Sequence, residues 1–241
     1  MNGGKSYKMT PATSKNISSL SVVIPAFNEK EALRDALAEA IAALGHFGSL
    51  LEVIVVDDGS DDGTAALLGE LTAVEPRIRY VSHPRNLGKG RALLTGLAAT
   101  SFEWILFIDA DLQIPVSEFD TFEAASAEAD TVIGYRRDKR YTLRRRALSR
   151  LYRGIVRILF GLRIRDVGCP FKLFRGRLLK SIHFTTNGFG IDVELLWRLS
   201  QLDARIRELP VESLPRRTGV SKVTILGLAG CVRELLQLRL R

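Results

Sequence analysis

Two aspartates, Asp109 and Asp111, stand directly after an apolar run and could bind a divalent cation. The run 104–108 is uncharged, which is typical of a buried strand that ends where the acids begin. Residues i and i+2 of an extended segment point the same way, so both carboxylates could share a hard cation such as Mg2+ or Mn2+. Two acids near a strand end also occur in solvated loops and as helix caps, so the spacing alone leaves these alternatives open.

The position of this acid pair depends on the elements around it, and the first half of the chain shows a regular alternation of predicted strands and helices. Strand-like apolar runs cover residues 21–25, 51–56, 78–81 and 104–109, and helical patterns cover 32–44, 64–71 and 91–99. Polar loops open at Asn28, Asp57, Asn86 and Asp109. This alternation predicts an α/β fold with a mostly parallel sheet and helices on both faces. Ligands of such sheets bind outside the carboxyl ends of the strands, so we expect these loops to converge.

The second half of the chain is less regular. A strand over 130–134 precedes an arginine-dense segment, and a turn-rich stretch runs from 207 to 222. Within segment 142–165, apolar residues recur at three- and four-residue steps from Leu143 to Leu162. Arginines occupy much of the rest of this segment: Arg144, Arg145, Arg146, Arg150, Arg153 and Arg157. The pattern predicts a basic amphipathic helix, which either lies on an anionic bilayer or packs its apolar stripe on the domain.

Composition limits the class of protein without selecting its partner. The chain has 241 residues, 46% of them hydrophobic, which is enough for an ordinary core. Its net charge of +8 permits nucleic acid, an anionic membrane surface or phosphorylated substrates. Cys169 and Cys231 show no C-x-x-C spacing, so neither a zinc site nor a disulfide framework is indicated, and a reducing cytosolic compartment is the simpler assumption.

The sequence also predicts how the chain is divided into a tail, a domain and a C-terminal segment. Residues 1–20 are polar and lack the apolar stretch of a secretory signal, so we expect a flexible tail. One domain should cover 21–222, followed by an amphipathic segment over 223–241. No uncharged apolar run is long enough to predict a transmembrane helix.

Several motifs in chain order resemble those of the family 2 inverting glycosyltransferases, which have the GT-A fold, a Rossmann-like α/β sheet. The first motifs are residues 22–29 (VVIPAFNE), 55–64 (VVDDGSDDGT), 86–92 (NLGKGRA) and 109–113 (DADLQ). Later motifs are similar to those of the polyprenyl-phosphate hexosyltransferases, the dolichyl-phosphate mannose synthase and dolichyl-phosphate glucosyltransferase type. These are residues 134–136, 165–174, 192–196 and 216–222.

The resemblance implies a nucleotide-sugar site at the strand-end loops. The residues that it places on the nucleotide sugar are Pro25, Phe27, Glu29, Asp57, Asp58, Lys89, Ala110, Ser221 and Lys222. Asp57 or Asp58 could accept hydrogen bonds from a nucleobase or ribose. Capping of the next helix is the alternative role, which we assign more readily to Ser60 or Asp61.

The resemblance also implies the residues that hold the metal and the phosphates. Asp109 and Asp111 should ligate Mg2+ or Mn2+, with Gln113 as a third oxygen donor. Arg136, Arg216 and Lys222 are the cations expected on phosphates. Asp192 falls where many family members keep a catalytic base. If the acceptor is a phosphate, which is already ionised, Asp192 could instead orient the sugar or cap the helix that follows it.

The implied function is metal-dependent transfer of a hexose to a polyprenyl phosphate such as dolichyl or undecaprenyl phosphate. GDP-mannose or UDP-glucose would be the donor, and the enzyme would lie peripherally on the cytoplasmic face of a membrane. One alternative is a soluble family 2 glycosyltransferase with a hydroxyl-bearing small-molecule or peptide acceptor, for which Asp192 would be essential as base. An alternative from another class, suggested by the charge, is a basic nucleic-acid-binding protein, although the chain has no recognisable nucleic-acid module.

Overall fold

The computed structural model describes residues 16–137, 143–188, 190–215 and 225–240. Within these ranges a single mixed sheet forms the centre of the fold. Its strands are β1 (Leu20–Ala26), β2 (Leu51–Asp57), β3 (Ile78–Ser82), β4 (Trp104–Phe107), β5 (Thr131–Arg136), β6 (Lys172–Arg175) and β7 (Ile206–Val211). Their spatial order is β3-β2-β1-β4-β6-β5-β7. Strand β6 runs antiparallel to both of its neighbours, and the other described pairs are parallel.

Helices cover both faces of this sheet. They are α1 (Lys30–Leu44), α2 (Thr64–Val74), α3 (Lys89–Ala99), α4 (Phe119–Ala125), α5 (Leu143–Phe160), α6 (Gly176–Lys180), α7 (Ile191–Gln201) and α8 (Ile225–Leu240). Short 3-10 helices cover Gly45–Leu50 and Val116–Glu118. The prediction of an α/β fold with a mostly parallel sheet is confirmed.

Strand β1 shows why its apolar run is continuous. Val22 and Ile24 pack into the core cluster that contains residues of α1 and α4, whereas Val23 packs into the opposite cluster with Leu93 and Leu97 of α3. All three valine and isoleucine side chains are fully buried. A strand covered on both faces needs apolar residues at every position, because alternate side chains point to opposite layers.

The register of the sheet brings the strand-end loops to one edge. Ala26 of β1 pairs with Asp57 of β2, which in turn pairs with Ser82 of β3. The three strands therefore end at the same level, and the chain leaves each of them at the carboxyl edge of the sheet. We call β1–β4 with the loops after them the parallel half, and β5–β7 with α7 the mixed half.

The mixed half departs most from the expected elements. Strand β6 had no predicted counterpart, and β7 replaces part of the stretch expected to be turn-rich. Strand β7 contains Pro210 and pairs with β5 alone among the described strands, which fits the rule that proline in a sheet occupies an edge strand. Near the amino terminus, Ile17 is already buried in the core. Among the described residues, no helix is both long and apolar enough to cross a bilayer.

Candidate functional site

The acid pair lies in a turn rather than on an extended strand. Strand β4 ends at Phe107, and the Leu112 amide donates to the Asp109 carbonyl at 3.3 Å. Leu112 has a φ of 43°, so the chain adopts the left-handed region directly after the acids. The expectation that Asp109, Asp111 and Gln113 share one extended face is therefore wrong. The turn leaves the Asp109 side chain 34% exposed, while Asp111 is 9% exposed.

Lys89, the first residue of α3, pairs with Asp109. Its Nζ lies 2.8 Å from Asp109 Oδ1. Burial raises the pKa of Asp109, but the charge and hydrogen bond of Lys89 outweigh it, so the net pKa is below the usual range. Burial lowers the pKa of Lys89, and the charges of Asp109, Asp192 and Asp111 reverse this, so the net pKa is raised. Both groups are therefore ionised at neutral pH.

The glycines beside Lys89 have a structural explanation within the chain. Gly88 has a φ of 94°, which strongly favours glycine. A Cβ at Gly90 would lie 2.5 Å from the Asn187 carbonyl oxygen, and that oxygen accepts the Arg91 amide at 3.0 Å. The close backbone approach that Gly90 allows is thus made to the loop before α7, which fixes the start of α3 and the position of Lys89.

Asp58 braces the loop that leads to Lys89. Its carboxylate accepts the backbone N–H groups of Leu87 at 2.9 Å and Gly88 at 2.8 Å. His83 Nδ1 lies 2.7 Å from the same carboxylate, and His83 Nε2 lies 2.9 Å from the Thr95 hydroxyl oxygen. Since a carboxylate only accepts hydrogen bonds, Nδ1 carries the hydrogen. Asp58 thereby joins the loop after β3 to the end of β2.

Asp57 and Asp62 brace the loop after β2 in the same manner. Asp57 accepts the Ser60 amide at 3.1 Å and the Ser82 hydroxyl at 3.3 Å. Asp62 accepts the amides of Thr64 at 2.9 Å and Lys30 at 3.0 Å, and so serves the beginnings of both α2 and α1. The assignment of the helix cap to Ser60 or Asp61 is therefore wrong. The Ser60 hydroxyl oxygen accepts the Asn28 amide instead.

The other expected nucleotide-binding residues lie at the same edge of the sheet. Pro25, Phe27 and Glu29 are half-buried at the end of β1, and Ala110 is buried in the turn between the acids. The backbone N–H of Gln113 donates to Asp111 Oδ1 at 3.3 Å. Its role as a metal ligand stays a prediction. Arg216, Ser221 and Lys222 lie outside the described residues.

Arg136, at the end of β5, is held by Asp166. Its Nε lies 2.8 Å from Asp166 Oδ2 and its Nη2 lies 3.1 Å from Asp166 Oδ1, which is a bidentate pair. The Asp166 side chain is 8% exposed and that of Arg136 is 18% exposed. Such a pair fixes the plane of the guanidinium group. Asp166 lies within the motif at residues 165–174, and no role was expected for it.

Lys172 of β6 is the second functional candidate to which the sequence interpretation gave no role. Its Nζ donates to Asp192 Oδ1 at 2.5 Å, and Lys172 is 1% exposed. Asp192 is the second residue of α7, and this contact shows where its carboxylate points. Lys172 is the first residue of β6 and the one charged residue within the otherwise apolar run 171–174, which is the signal that could have identified it.

These residues form one charge cluster, which we define as Lys89, Asp109, Asp111, Arg136, Lys172 and Asp192. The charges of Lys89, Lys172 and Arg136 act on Asp109. The charges of the three acids of the cluster act on Lys89. Both halves of the sheet therefore contribute charges to one location. The predicted convergence of the loops after β1 to β4 is confirmed by the contacts of Asn28 with Ser60, of Gly88 with Asp58 and of Lys89 with Asp109.

The acids of the cluster fit one kind of metal site. Among the described residues, no group of three histidine, cysteine, aspartate or glutamate side chains is placed to hold a metal ion. Magnesium commonly uses one or two carboxylates together with waters and substrate phosphates rather than a cage of protein ligands. Asp109 and Asp111 provide hard oxygen ligands of that type, so the residues present fit a cation shared with a phosphorylated substrate.

Helix α5 presents an apolar and basic surface to solvent. Val156 and Phe160 are buried, whereas Leu151 is 62% exposed and Ile158 is 84% exposed. Three arginines of the described part of the helix are exposed: Arg150, Arg153 and Arg157. The predicted amphipathic helix is present, and part of its apolar surface is left uncovered. The side chains of 143–147 lie outside the described part.

Comparisons with known proteins agree with this geometry. Residues 21–199 match the family model described as glycosyl transferase family 2. The chain is 32% identical over 225 residues to the undecaprenyl-phosphate 4-deoxy-4-formamido-L-arabinose transferase of Edwardsiella ictaluri, a match that covers 92% of this chain and 68% of that protein. The protein of the same name from Enterobacter sp. is 31% identical over 224 residues, covering 91% and 67%.

Solved structures support the same grouping. Glucosyl-3-phosphoglycerate synthase from Mycobacterium tuberculosis, in complex with Mg2+ and uridine diphosphate, superposes with a TM-score of 0.69 at 25% identity. The match covers 92% of this chain and 79% of that one. A complex of the same synthase with Mn2+, uridine diphosphate and phosphoglyceric acid gives a TM-score of 0.68. The expected GT-A architecture is confirmed.

Proposed function

Because the chain belongs to glycosyl transferase family 2 and is a glycosyltransferase, we propose that it transfers a sugar from a nucleoside-diphosphate donor to a polyprenyl phosphate. The transfer would be a single in-line displacement with inversion. An acceptor phosphate oxygen would bond to the anomeric carbon as the bond from that carbon to the diphosphate breaks. The electron pair of that bond would leave with the nucleoside diphosphate.

The observation that carries this proposal is the charge cluster at the carboxyl edge of the sheet. Lys89 and Arg136 place two cations among the acids, and a third cation, Lys172, is buried in its pair with Asp192. A donor diphosphate and an acceptor phosphate are both anionic, and fixed cations stabilise such groups without reorganising during the reaction. Arg136 suits a phosphate in particular, since Asp166 fixes its orientation and guanidinium binds phosphate in a planar manner.

Asp109 and Asp111 would hold the divalent cation. A bound Mg2+ or Mn2+ supplies neutralisation of the diphosphate leaving group. Solved relatives were crystallised with these ions and uridine diphosphate, which supports this part of the proposal. Gln113, beside Asp111, remains the proposed third oxygen ligand. Lys89 keeps Asp109 ionised and positions its carboxylate.

The donor is proposed to be a UDP-linked sugar. The GDP-mannose and UDP-glucose expected from the sequence are hexose donors, whereas the curated relatives are named for 4-deoxy-4-formamido-L-arabinose, a pentose derivative. Uridine diphosphate is the nucleotide in the solved relatives. We therefore propose uridine as the base and leave the choice between hexose and modified pentose to a donor screen.

Titration calorimetry with UDP and GDP, each with and without Mn2+, tests the donor. UDP should bind more tightly than GDP, and Mn2+ should strengthen its binding. Asp111→Asn should abolish the effect of Mn2+, and Asp120→Asn, an exposed acid on α4, should keep it. Equal binding of UDP with and without Mn2+ would contradict the metal role.

A transfer assay tests the acceptor. UDP-linked hexoses and UDP-4-formamido-arabinose would each be incubated with a short polyprenyl phosphate in detergent, or with the corresponding polyprenol. The phosphate should accept the sugar and the alcohol should not. The specific rival is a small hydroxyl-bearing acceptor, which the phosphoglyceric acid complex of a solved relative favours. Transfer to phosphoglyceric acid and not to the polyprenyl phosphate would establish that rival.

We also propose that α5 contacts the membrane that holds the acceptor. Leu151 and Ile158 are seven residues apart and exposed, and arginines flank them. A basic amphipathic helix with exposed apolar residues suits the interface of an anionic bilayer. Sedimentation with phosphatidylglycerol vesicles should be lost in Leu151→Ser with Ile158→Ser. Val74→Ser, which removes a 78% exposed residue of α2, should sediment as the wild type does.

A further inference from the structure

Lys172 is a charged side chain in the interior of the sheet. Strand β6 lies between β4 and β5, and Lys172 pairs with Phe107 on one side and Ile133 on the other. The Lys172 side chain is 2% exposed. An ammonium group in such surroundings costs free energy unless it is paired, and its Nζ is 2.5 Å from Asp192 Oδ1.

The partner of Lys172 faces the reaction site. The Asp192 side chain is 16% exposed, and its charge acts on Lys89, which in turn holds Asp109. Asp192 is thus half-buried, paired with Lys172 and a member of the charge cluster. The family resemblance places a catalytic base at this position, so its carboxylate is the proton acceptor to consider.

The ion pair with Lys172 disfavours proton transfer to Asp192. A proton transferred to Asp192 would neutralise the carboxylate and leave the Lys172 ammonium buried without its counter-charge. A hydroxyl or water nucleophile must lose a proton as it attacks, and general-base catalysis contributes about 10²–10⁴-fold to such steps. A phosphate acceptor is already ionised near neutral pH and gives up no proton.

We infer that Lys172 determines acceptor specificity by keeping Asp192 from acting as a base. The inference rests on the proposed function, since it explains how the same site transfers to an ionised acceptor and excludes hydroxyl groups and water. Lys172 acts through Asp192 and is therefore a positioning residue. Its effect is selective: the pair suppresses hydrolysis of the donor without opposing transfer to phosphate.

The test is the ratio of donor hydrolysis to sugar transfer in Lys172→Met. The reactions contain the UDP-sugar of highest turnover in the donor screen, Mn2+ and a short polyprenyl phosphate. In the hydrolysis, the water oxygen bonds to the anomeric carbon and the bond to the diphosphate breaks with its electron pair leaving on the diphosphate. One water proton passes to Asp192. We expect the ratio to rise about tenfold or more, because Asp192 is released as a base.

Matched variants separate this effect from a loss of structure. Lys172→Arg retains the cation and should retain the wild-type ratio whatever its overall rate. Lys172→Met with Asp192→Asn removes both charges and should return the ratio to the wild-type value. A purely structural Lys172 would lower hydrolysis and transfer together, so an unchanged ratio in Lys172→Met overturns the inference.

Asp192→Asn alone decides the question if Lys172→Met does not accumulate as folded protein. Transfer to the polyprenyl phosphate should fall by less than about tenfold, since no base is removed from that reaction. A fall of about 10³-fold or more would show that Asp192 is the base and would overturn the inference. Failure of the proposed function looks different: the wild-type protein would bind no UDP-sugar or would transfer only to hydroxyl acceptors.

Discussion

Two acids of the parallel half and two of the mixed half are held by different kinds of partner. In the parallel half, Asp58 accepts two backbone N–H groups and a histidine, and Asp62 accepts backbone N–H groups of two helices. In the mixed half, Asp166 is held by Arg136 and Asp192 by Lys172. For these four acids, the parallel half therefore supplies mainly backbone N–H donors, and the mixed half supplies full positive charges.

This difference matches what each half would bind. Neutral donors fix the loops without cancelling their negative charge, which leaves the parallel half suited to a cation and to the hydroxyl and N–H groups of a nucleoside. Paired cations give the mixed half positive charges close to the reaction site, which suits anionic phosphates. Lys89 and Asp109 lie at the boundary between the two halves, since the charges of Lys172 and Arg136 in the mixed half also act on Asp109.

The largest expected effect comes from the acids at that meeting point. Asp111→Asn should lower transfer by at least about 10⁴-fold, which corresponds to about 5.4 kcal/mol of transition-state stabilisation. The variant removes one of the two charged oxygen ligands proposed for the cation and leaves the turn otherwise similar in shape. Steady-state kinetics with saturating donor measure the loss. Asp120→Asn serves as control, and a loss below about tenfold in Asp111→Asn would remove the metal from the mechanism.

The next largest expected effect concerns the Lys172–Asp192 ion pair of the mixed half. Lys172→Met should lower the free energy of unfolding by about 3–5 kcal/mol, because it leaves the Asp192 carboxylate without its cation. Adding Asp192→Asn should restore most of that loss, since two buried groups of similar shape without charge need no counter-charge. Urea denaturation of both single variants and the double variant gives the coupling free energy. Additive losses would mean that the pair does not stabilise the fold in this way.

The donors around Asp58 in the parallel half predict a smaller loss of stability, and a second substitution should not restore it. Asp58→Asn retains one acceptor oxygen for three donors, so we expect a loss of about 2–3 kcal/mol in the free energy of unfolding. Adding His83→Asn should not restore stability, because the Leu87 and Gly88 amides still lack their acceptor. Urea denaturation without nucleotide measures the effect, and Asp61→Asn, an exposed acid of the same loop, is the control. Wild-type stability of Asp58→Asn would leave nucleotide contact as the reason for this acid.

The same contrast explains which features the sequence could predict. Strands β1 and β2 and helix α3 follow from local apolar periodicity, because each shows the apolar spacing of its element beside a loop of polar or glycine residues. The convergence of Lys89 with Asp109 follows from the parallel sheet alone. Strand β6 could not be predicted in this way, because its pairing with β4 and β5 joins residues distant in sequence and Lys172 interrupts its apolar pattern.

Side-chain partners were less accessible to sequence reasoning than elements. Asp58 was interpreted as a nucleotide contact, yet its donors include Leu87 and Gly88, about 30 residues later in the chain. The turn at Asp111 depends on a left-handed Leu112, which no residue type at that position signals. Such details depend on contacts between loops that follow different strands, and the local conformational propensity of each residue does not specify those contacts.

The smallest expected effect concerns a carboxylate of the parallel half that is braced by a charge, far from the strand-end loops. Hydrogen bonds and charge from Arg77 lower the pKa of Glu75 to about 2. A carboxyl group with a lowered folded-state pKa stabilises the fold fully above its unfolded value of 4.5, and this contribution is lost as the pH falls toward 2. Arg77→Gln should therefore reduce thermal stability at pH 7 and lessen its decline between pH 4.5 and 2. The change should stay within about 1 kcal/mol, because both side chains are partly exposed and solvent screens the pair. Melting curves at these pH values, with exposed Arg163→Gln as control, measure the difference, and an equal acid decline in Arg77→Gln would show that other carboxylates account for it.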